Sequence, residues 1–438
     1  MRLLTRPYFF LLLILGSNCK PPANESIRPI DEISIQYVKL ALSIGQLDSG
    51  FVDAYYGPEE LKPTPVDPSE PLDIPYEELK WRAMELHTML EELDISRFDS
   101  IEIMRYRYLV NQMIAVKTKL EMISGEVLPF DVESRSLYDA IAPHYEQEYF
   151  NSLLTKLDLL LPGKGEFGKR YELFVSQFII PDDKLDTVFL VAIEEARRRT
   201  LEYIDLPSEE NFTFEYVNNK PWAGYNRYKG NYQSLVQINT DIPITIDKAI
   251  HLACHEGYPG HHVYNTMLEK YLVNNRGWTE FSIYPLFSPQ SLIAEGSANF
   301  GVDVAFTEKD RRDFEKDVLF PLAGLDPEMV DLFYDIQKLK SNLSYADNEA
   351  ARRYLDRKIS KEEAIEWLKK YNLQTQEQAM QRIDFYDNYR SYVINYNYGR
   401  DLIQNYVESN GGIQSNPDKR WALFKDILTH PLSASMIE

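Results

Sequence analysis

Four of the chain's seven histidines lie between residues 251 and 262, and a glutamate stands directly after the second of them. Imidazole nitrogen and carboxylate oxygen are ligands that zinc prefers, and a catalytic zinc keeps three protein ligands and one open position. The usual helical arrangement, HExxH, sets two histidines one turn apart with the glutamate beside the metal's water. The segment His255-Glu256-Gly257-Tyr258-Pro259-Gly260-His261-His262 departs from it. Pro259 stands where the second histidine belongs, so Pro259-Gly260 reads as a two-residue insertion that bulges the helix. Proline removes a helix hydrogen bond, and glycine tolerates the backbone that results. Such a bulge brings His261 one turn from His255. In an unbroken helix His262 would lie two turns on, roughly 10 Å away. It is therefore the alternative ligand, or a residue behind the ligands. His251 and His255, at i and i+4, form a rival pair on one helical face without a bulge. That pair leaves Glu256 and both later histidines unused.

A third ligand is expected at Glu295. Ser288-Pro289 marks a helix start with proline in the first position, and the helix carries Ala294-Glu295-Gly296-Ser297-Ala298-Asn299. Small residues around Glu295 let a second helix or a metal come close. Asn299 and Asp303 follow on the same face as groups that orient the site. Glu256, next to the first ligand, is the expected general base. Near the C-terminus Tyr392, Tyr396 and Arg400 stand at i, i+4 and i+8, on one helical face.

Together these segments resemble the bacterial domain-of-unknown-function 885 family, whose site reads HExxPGHH and is followed by a helix with an Ala-Glu-Gly core. Phe51-Val52-Asp53-Ala54-Tyr55-Tyr56-Gly57-Pro58 resembles its N-terminal segment. Gly230-Asn231-Tyr232 to Asn239 resembles the strand before its site helix, and Arg390 to Gly399 its C-terminal motif. There the family shows Pro-Gly-Gln before the tyrosine, and this chain shows Val393-Ile394-Asn395. The family is similar to the helical gluzincin metallopeptidases. The resemblance implies one zinc per chain, a peptide substrate, and a match of Tyr396 to the family's C-terminal tyrosine; related gluzincins use such a group to hydrogen-bond the oxyanion. The strand at Tyr232–Asn239 is then the expected partner of an extended substrate, with Tyr232 and Arg400 as substrate contacts. The competing function class is a non-catalytic metal- or peptide-binding envelope lipoprotein on a peptidase scaffold. Retention of Glu256 favours the enzyme.

The elements that must position these residues are mostly helices. Apolar residues recur at helical spacing in Ser34–Leu47, Tyr76–Leu93, Ile101–Ile123, Glu146–Leu161, Lys169–Phe178 and Asp183–Ile204, and again from Ile246 to the end. Ser360 with Glu363 forms a capping-box pattern. Phe212–Val217 and Tyr232–Asn239 read as strands, the second by strict alternation. The expected fold is mainly α (α+β), a large helical gluzincin-like domain with a small sheet embedded beside the metal-site helix.

At the start, Arg2 and Arg6 precede a short apolar run, Tyr8–Leu15, and then Cys19. Eight apolar residues are too few for a membrane-spanning helix, which needs roughly 20. Residues 1–19 therefore read as a signal peptide, similar to a bacterial lipoprotein signal in which Cys19 becomes the lipidated first residue. Residues 20–30 form a polar tether, and residues 31–438 are expected to form a single domain. The expected location is the cell envelope, with membrane contact only through the lipidated N-terminus. The net charge of −21 argues against a nucleic-acid partner. The pattern carries no signature of oligomeric state. With only one other cysteine, Cys254, no disulfide framework is expected.

Overall fold

A computed structural model describes residues 27–64, 76–220 and 222–438. The signal-peptide and lipidation readings, Cys19 included, and most of the tether lie outside the described residues. The periodic segments form helices close to the expected bounds: Pro29–Leu47, Tyr76–Glu91, Ser100–Ile123, Gln147–Leu160, Phe167–Val175 and Leu185–Leu201. Their ends follow local chemistry. Asp99 with Glu102, and Ser360 with Glu363, close capping boxes, and the Pro162–Gly165 break separates two helices. Among the described residues no helix is long and apolar enough to cross a membrane.

The helices enclose one connected apolar core running from Ile30 to Ile437. Two small sheets interrupt them. In the first, β1 (Val52–Tyr55) pairs antiparallel with β5 (Ile283–Pro285). The second contains β2 (Asn211–Val217), β3 (Gly224–Tyr228) and β4 (Gln233–Asn239) in the order β2-β4-β3. β4 is parallel to β2 and antiparallel to β3. Its alternation is real, with Ser234, Val236 and Ile238 on the buried face. The fold is mainly α with small β-sheets.

That strand order corrects one expectation. β4 is central and hydrogen-bonded on both sides, so its backbone has no groups left for a substrate. β3, which the sequence reading missed, is an edge strand and, unlike the other edge strand β2, lines the large cleft. Tyr232 is corrected with it. It sits at the β3–β4 turn, where its N–H donates to Glu269 and its hydroxyl accepts from Asn274, and it is not among the residues lining the cleft.

Candidate metal centre

The helix that carries His251 runs Ile246–Leu252 and loosens into a π-helical turn, Ala253–Gly257. The chain then breaks at Tyr258–Gly260, across a cis Tyr258–Pro259 peptide, and a new helix starts at His261. The backbone closes the break in widened steps: Tyr258 N–H donates to Ala253 C=O at 3.0 Å, and Gly260 N–H donates to Cys254 C=O at 2.9 Å. Gly260 lies so close to the preceding turn that a Cβ there would stand 2.0 Å from the His255 carbonyl oxygen. Only glycine fits. The expected bulge is thus a π turn followed by a break, and it returns His261 to His255, with ring centroids 4.7 Å apart.

Glu295 arrives on the helix Pro289–Ala305, which begins at Pro289 as the sequence implied. This helix crosses Ile394–Ser409 at Gly296 and Gly399; a Cβ on Gly296 would meet the Gly399 carbonyl oxygen at 2.5 Å. The small residues beside Glu295 therefore admit a second helix. Glu295 Oε2 lies 3.4 Å from His255 Nε2 and 3.6 Å from His261 Nε2. Its other oxygen accepts from the Tyr392 hydroxyl at 2.8 Å. One nitrogen or oxygen from each of His255, His261 and Glu295 lies within 4.8 Å of the others.

Buried polar atoms are nearly always partnered, yet Glu295 Oε2 is buried with no hydrogen bond, as are His255 Nδ1 and Glu256 Oε2. An unpartnered carboxylate oxygen facing two imidazole nitrogens is the donor set that a zinc-type cation takes. Burial pushes the Glu295 carboxyl up, but the two imidazoles outweigh it and hold it well below the usual range. Burial lowers the His261 imidazole, and the facing Glu295 more than restores it, to about 8. Glu256 is raised, mainly by burial.

Glu256 borders the same space, its Oε1 4.0 Å from His255 Nε2. β3 runs across it: Asn226 Nδ2 donates to the Glu256 carbonyl at 2.6 Å, and Gly224 passes within van der Waals reach of the carboxylate. β1 contributes Asp53, which accepts from the hydroxyl of Tyr225 on β3 at 3.0 Å. Burial raises the Asp53 carboxyl to about 6, against the pull of that hydrogen bond. The centre opens into a cleft of about 1450 Å³. Its nearer wall includes Tyr396, whose ring packs 5.7 Å from that of Tyr392.

The other sequence candidates fall into two groups. Asn299 and Arg400 line the cleft. Asn299 donates to the Tyr396 carbonyl, and Arg400 is held by Asp303 and Asp401. His262 and His251 do not join the cluster. His262 is turned to the other side of its helix, its Nδ1 beside Ser234 Oγ and its Nε2 on Glu210, both at 2.9 Å. Its alternative role as ligand is corrected on that ground. His251 stacks on His255 at 5.5 Å, so the rival i, i+4 pair exists as a stack, and Glu295 faces His261 instead. Cys254 is fully buried packing. The sequence reading missed Glu210, Asn226 and Asp53 as site neighbours. For Tyr392 the signal was present in its i−4 spacing to Tyr396.

No family model matches the chain, and no curated protein matches it in sequence. Among solved structures it is similar to a "putative lipoprotein" of Colwellia psychrerythraea (TM-score 0.51, 14% identity, 81% of this chain and 69% of that one). It is more distantly similar to metallocarboxypeptidase 1 of Trypanosoma cruzi (TM-score 0.43, 12% identity, 93% and 94%). A third is the M32 carboxypeptidase of Deinococcus radiodurans R1 (TM-score 0.37, 11% identity, 92% and 91%). The first likeness is one of fold alone, and the other two are too distant to extend to function.

Proposed function

We propose that this chain is a zinc-dependent peptidase. The observation that carries the reading is Glu295 Oε2, buried without a hydrogen bond opposite the Nε2 atoms of His255 and His261. Those three residues would hold the metal. When bound, zinc supplies Lewis acidity toward a water and a carbonyl oxygen. The chain's own groups do the rest. Glu256 takes the proton of the attacking water and returns it to the leaving amine, and its burial, which raises its pKa, suits it to hold that proton between the two steps. Tyr396 hydrogen-bonds the oxyanion from the cleft wall. Tyr392 fixes the Glu295 carboxylate by holding its second oxygen. The free edge of β3 takes the extended substrate by backbone pairing, the role first expected of β4. Arg400, already neutralised by Asp303 and Asp401, contacts substrate as a hydrogen-bond donor rather than as an unpaired charge.

The test is Glu256→Gln. The purified protein should carry about one zinc per chain, and the variant should keep it while its kcat on a peptide library falls roughly 10²–10⁴-fold. Wild-type turnover by the variant would exclude this mechanism.

The chain's place at the cell envelope, exported and anchored through a lipidated Cys19, rests on the N-terminal sequence. Cys19→Ala should move the protein from the membrane to the soluble fraction; an unchanged membrane fraction would mean a different anchor.

A further inference from the structure

Between the helices Gln376–Tyr389 and Ile394–Ser409 the chain makes a 3-10 turn, Arg390–Val393. Arg390, which ends the first helix, has φ 50° and ψ −122°. Its φ is positive, and its ψ lies far from the roughly +30 to +60° at which a side chain tolerates a positive φ. Glycine takes such a conformation freely, whereas an arginine is strained in it. Strain of this kind persists only where the surrounding structure holds it.

Glu133 does the holding, from the helix Phe130–Tyr138. Its side chain is buried. Oε2 accepts from Arg390 Nε at 2.6 Å, and Oε1 accepts from the Ser391 N–H at 3.0 Å and the Ser391 hydroxyl at 2.6 Å. One oxygen grips the side chain of the strained residue and the other grips the residue after it. A carboxylate that merely neutralised Arg390 would need no bond to Ser391. The next residue is Tyr392, whose hydroxyl donates to Glu295 Oε1. The helix of Glu133 touches Tyr392 a second time, since the Tyr138 ring meets it edge-on at 5.9 Å. One helix thus fixes Tyr392 by its ring and by the backbone before it. Tyr392 in turn fixes the carboxylate whose free oxygen faces His255 and His261. Glu133 is not among the residues lining the cleft, so it reaches the centre only through this turn.

We propose that Glu133 is a positioning residue of the candidate centre: it clamps the strained Arg390–Ser391 turn and thereby holds Tyr392 against Glu295. The proposal rests on the metal-centre reading for what Glu295 does. A carboxylate ligand that is free to rotate presents the right oxygen only part of the time, and a hydrogen bond to its other oxygen removes that freedom. Without Glu133 the turn relaxes toward an ordinary backbone conformation and carries Tyr392 with it. Glu295 then loses the group that orients it. The loss appears as weaker metal binding in a protein that is still folded.

Zinc affinity by chelator competition, with the melting temperature of the metal-free protein measured alongside, tests this without turnover. Glu133→Ala should weaken zinc binding about 10–100-fold, the usual effect of removing a group behind a metal ligand. Tyr392→Phe should weaken it by a similar factor, and the double variant by no more than either alone, because both act through one contact. Glu133→Ala/Arg390→Gly should recover most of the affinity, since glycine keeps the turn without a clamp. Three results overturn the proposal and leave the metal centre standing: unchanged affinity in folded Glu133→Ala, factors that multiply when Tyr392→Phe is added, or no recovery with Arg390→Gly. If Glu133→Ala does not fold, Glu133→Gln takes its place; it keeps the volume but sets an amide N–H against Arg390 Nε. A wild-type protein that takes up no zinc overturns the metal reading instead. The crystal structure of Glu133→Gln then decides on the clamp, which is supported if the Tyr392 hydroxyl has left Glu295 and overturned if it remains within hydrogen-bond distance.

Discussion

His261 and His262 are neighbours in sequence and belong to opposite kinds of cluster. Each imidazole faces a buried glutamate. Around His262 every group is matched. Glu210 accepts from His262 and from the Tyr258 hydroxyl on one oxygen, and from Arg197 on the other, while Ser234 takes the far ring nitrogen. Around His261 the accounting fails: Glu295 Oε2 and Glu256 Oε2 have no hydrogen-bond partner. A satisfied buried network fixes one arrangement of the chain. An unsatisfied one is costly unless something else arrives. The same residue types therefore serve as scaffold on one side of a helix and as a candidate centre on the other, and the division is drawn by hydrogen bonds rather than by composition. His262 is fully buried, whereas 15% of the His261 side chain remains exposed, toward the cleft.

The largest effect that tests this contrast comes from exchanging one imidazole at a time. His261→Ala should lose zinc and all detectable activity while its melting temperature without metal changes little. His262→Ala should do the reverse. It should keep about one zinc per chain but remove one of the three donors to Glu210 and leave the buried Ser234 hydroxyl without its partner, at a cost of about 1–3 kcal/mol. Metal content by elemental analysis and thermal melts with and without chelator read both. Stoichiometric zinc in His261→Ala, or its loss in a folded His262→Ala, would reverse the assignment.

How far the sequence carried this contrast depends on range. The insertion at Pro259-Gly260 is local, so the choice of His261 over His262 could be argued from spacing, and the structure shows the geometry that choice requires. Glu295 was reachable because the small residues around it announce a close approach. Glu210 was not, since it lies 52 residues from His262 in the turn before β2 and has no motif of its own. β3 was missed for a different reason. Gly224-Tyr225-Asn226-Arg227-Tyr228 is a polar edge strand without apolar alternation, and period-2 reasoning detects half-buried strands. The alternation in β4 located a strand but could not give its place in the sheet, so the substrate role fell on the wrong one and took Tyr232 with it.

The smallest predicted effect belongs to the satisfied side and appears in acid. Burial alone would raise the Glu210 carboxyl, but the hydrogen bonds from His262, Tyr258 and Arg197 outweigh it and bring it to about 2, from an ordinary value of 4.5. A carboxyl with a depressed folded pKa contributes stability that is fully present above its unfolded pKa and is lost as pH falls through the folded one. The window is therefore pH 4.5 down to about 2. Such a shift corresponds to about 3 kcal/mol without screening. Arg197 is 46% exposed, so water weakens its share and about 1–2 kcal/mol is the expected effect. Glu210→Gln should flatten this part of the acid limb in urea titrations between pH 5 and 2, leaving the neutral-pH zinc content unchanged. An acid limb identical to wild type would show that the cluster holds His262 by shape alone, without the charge of Glu210.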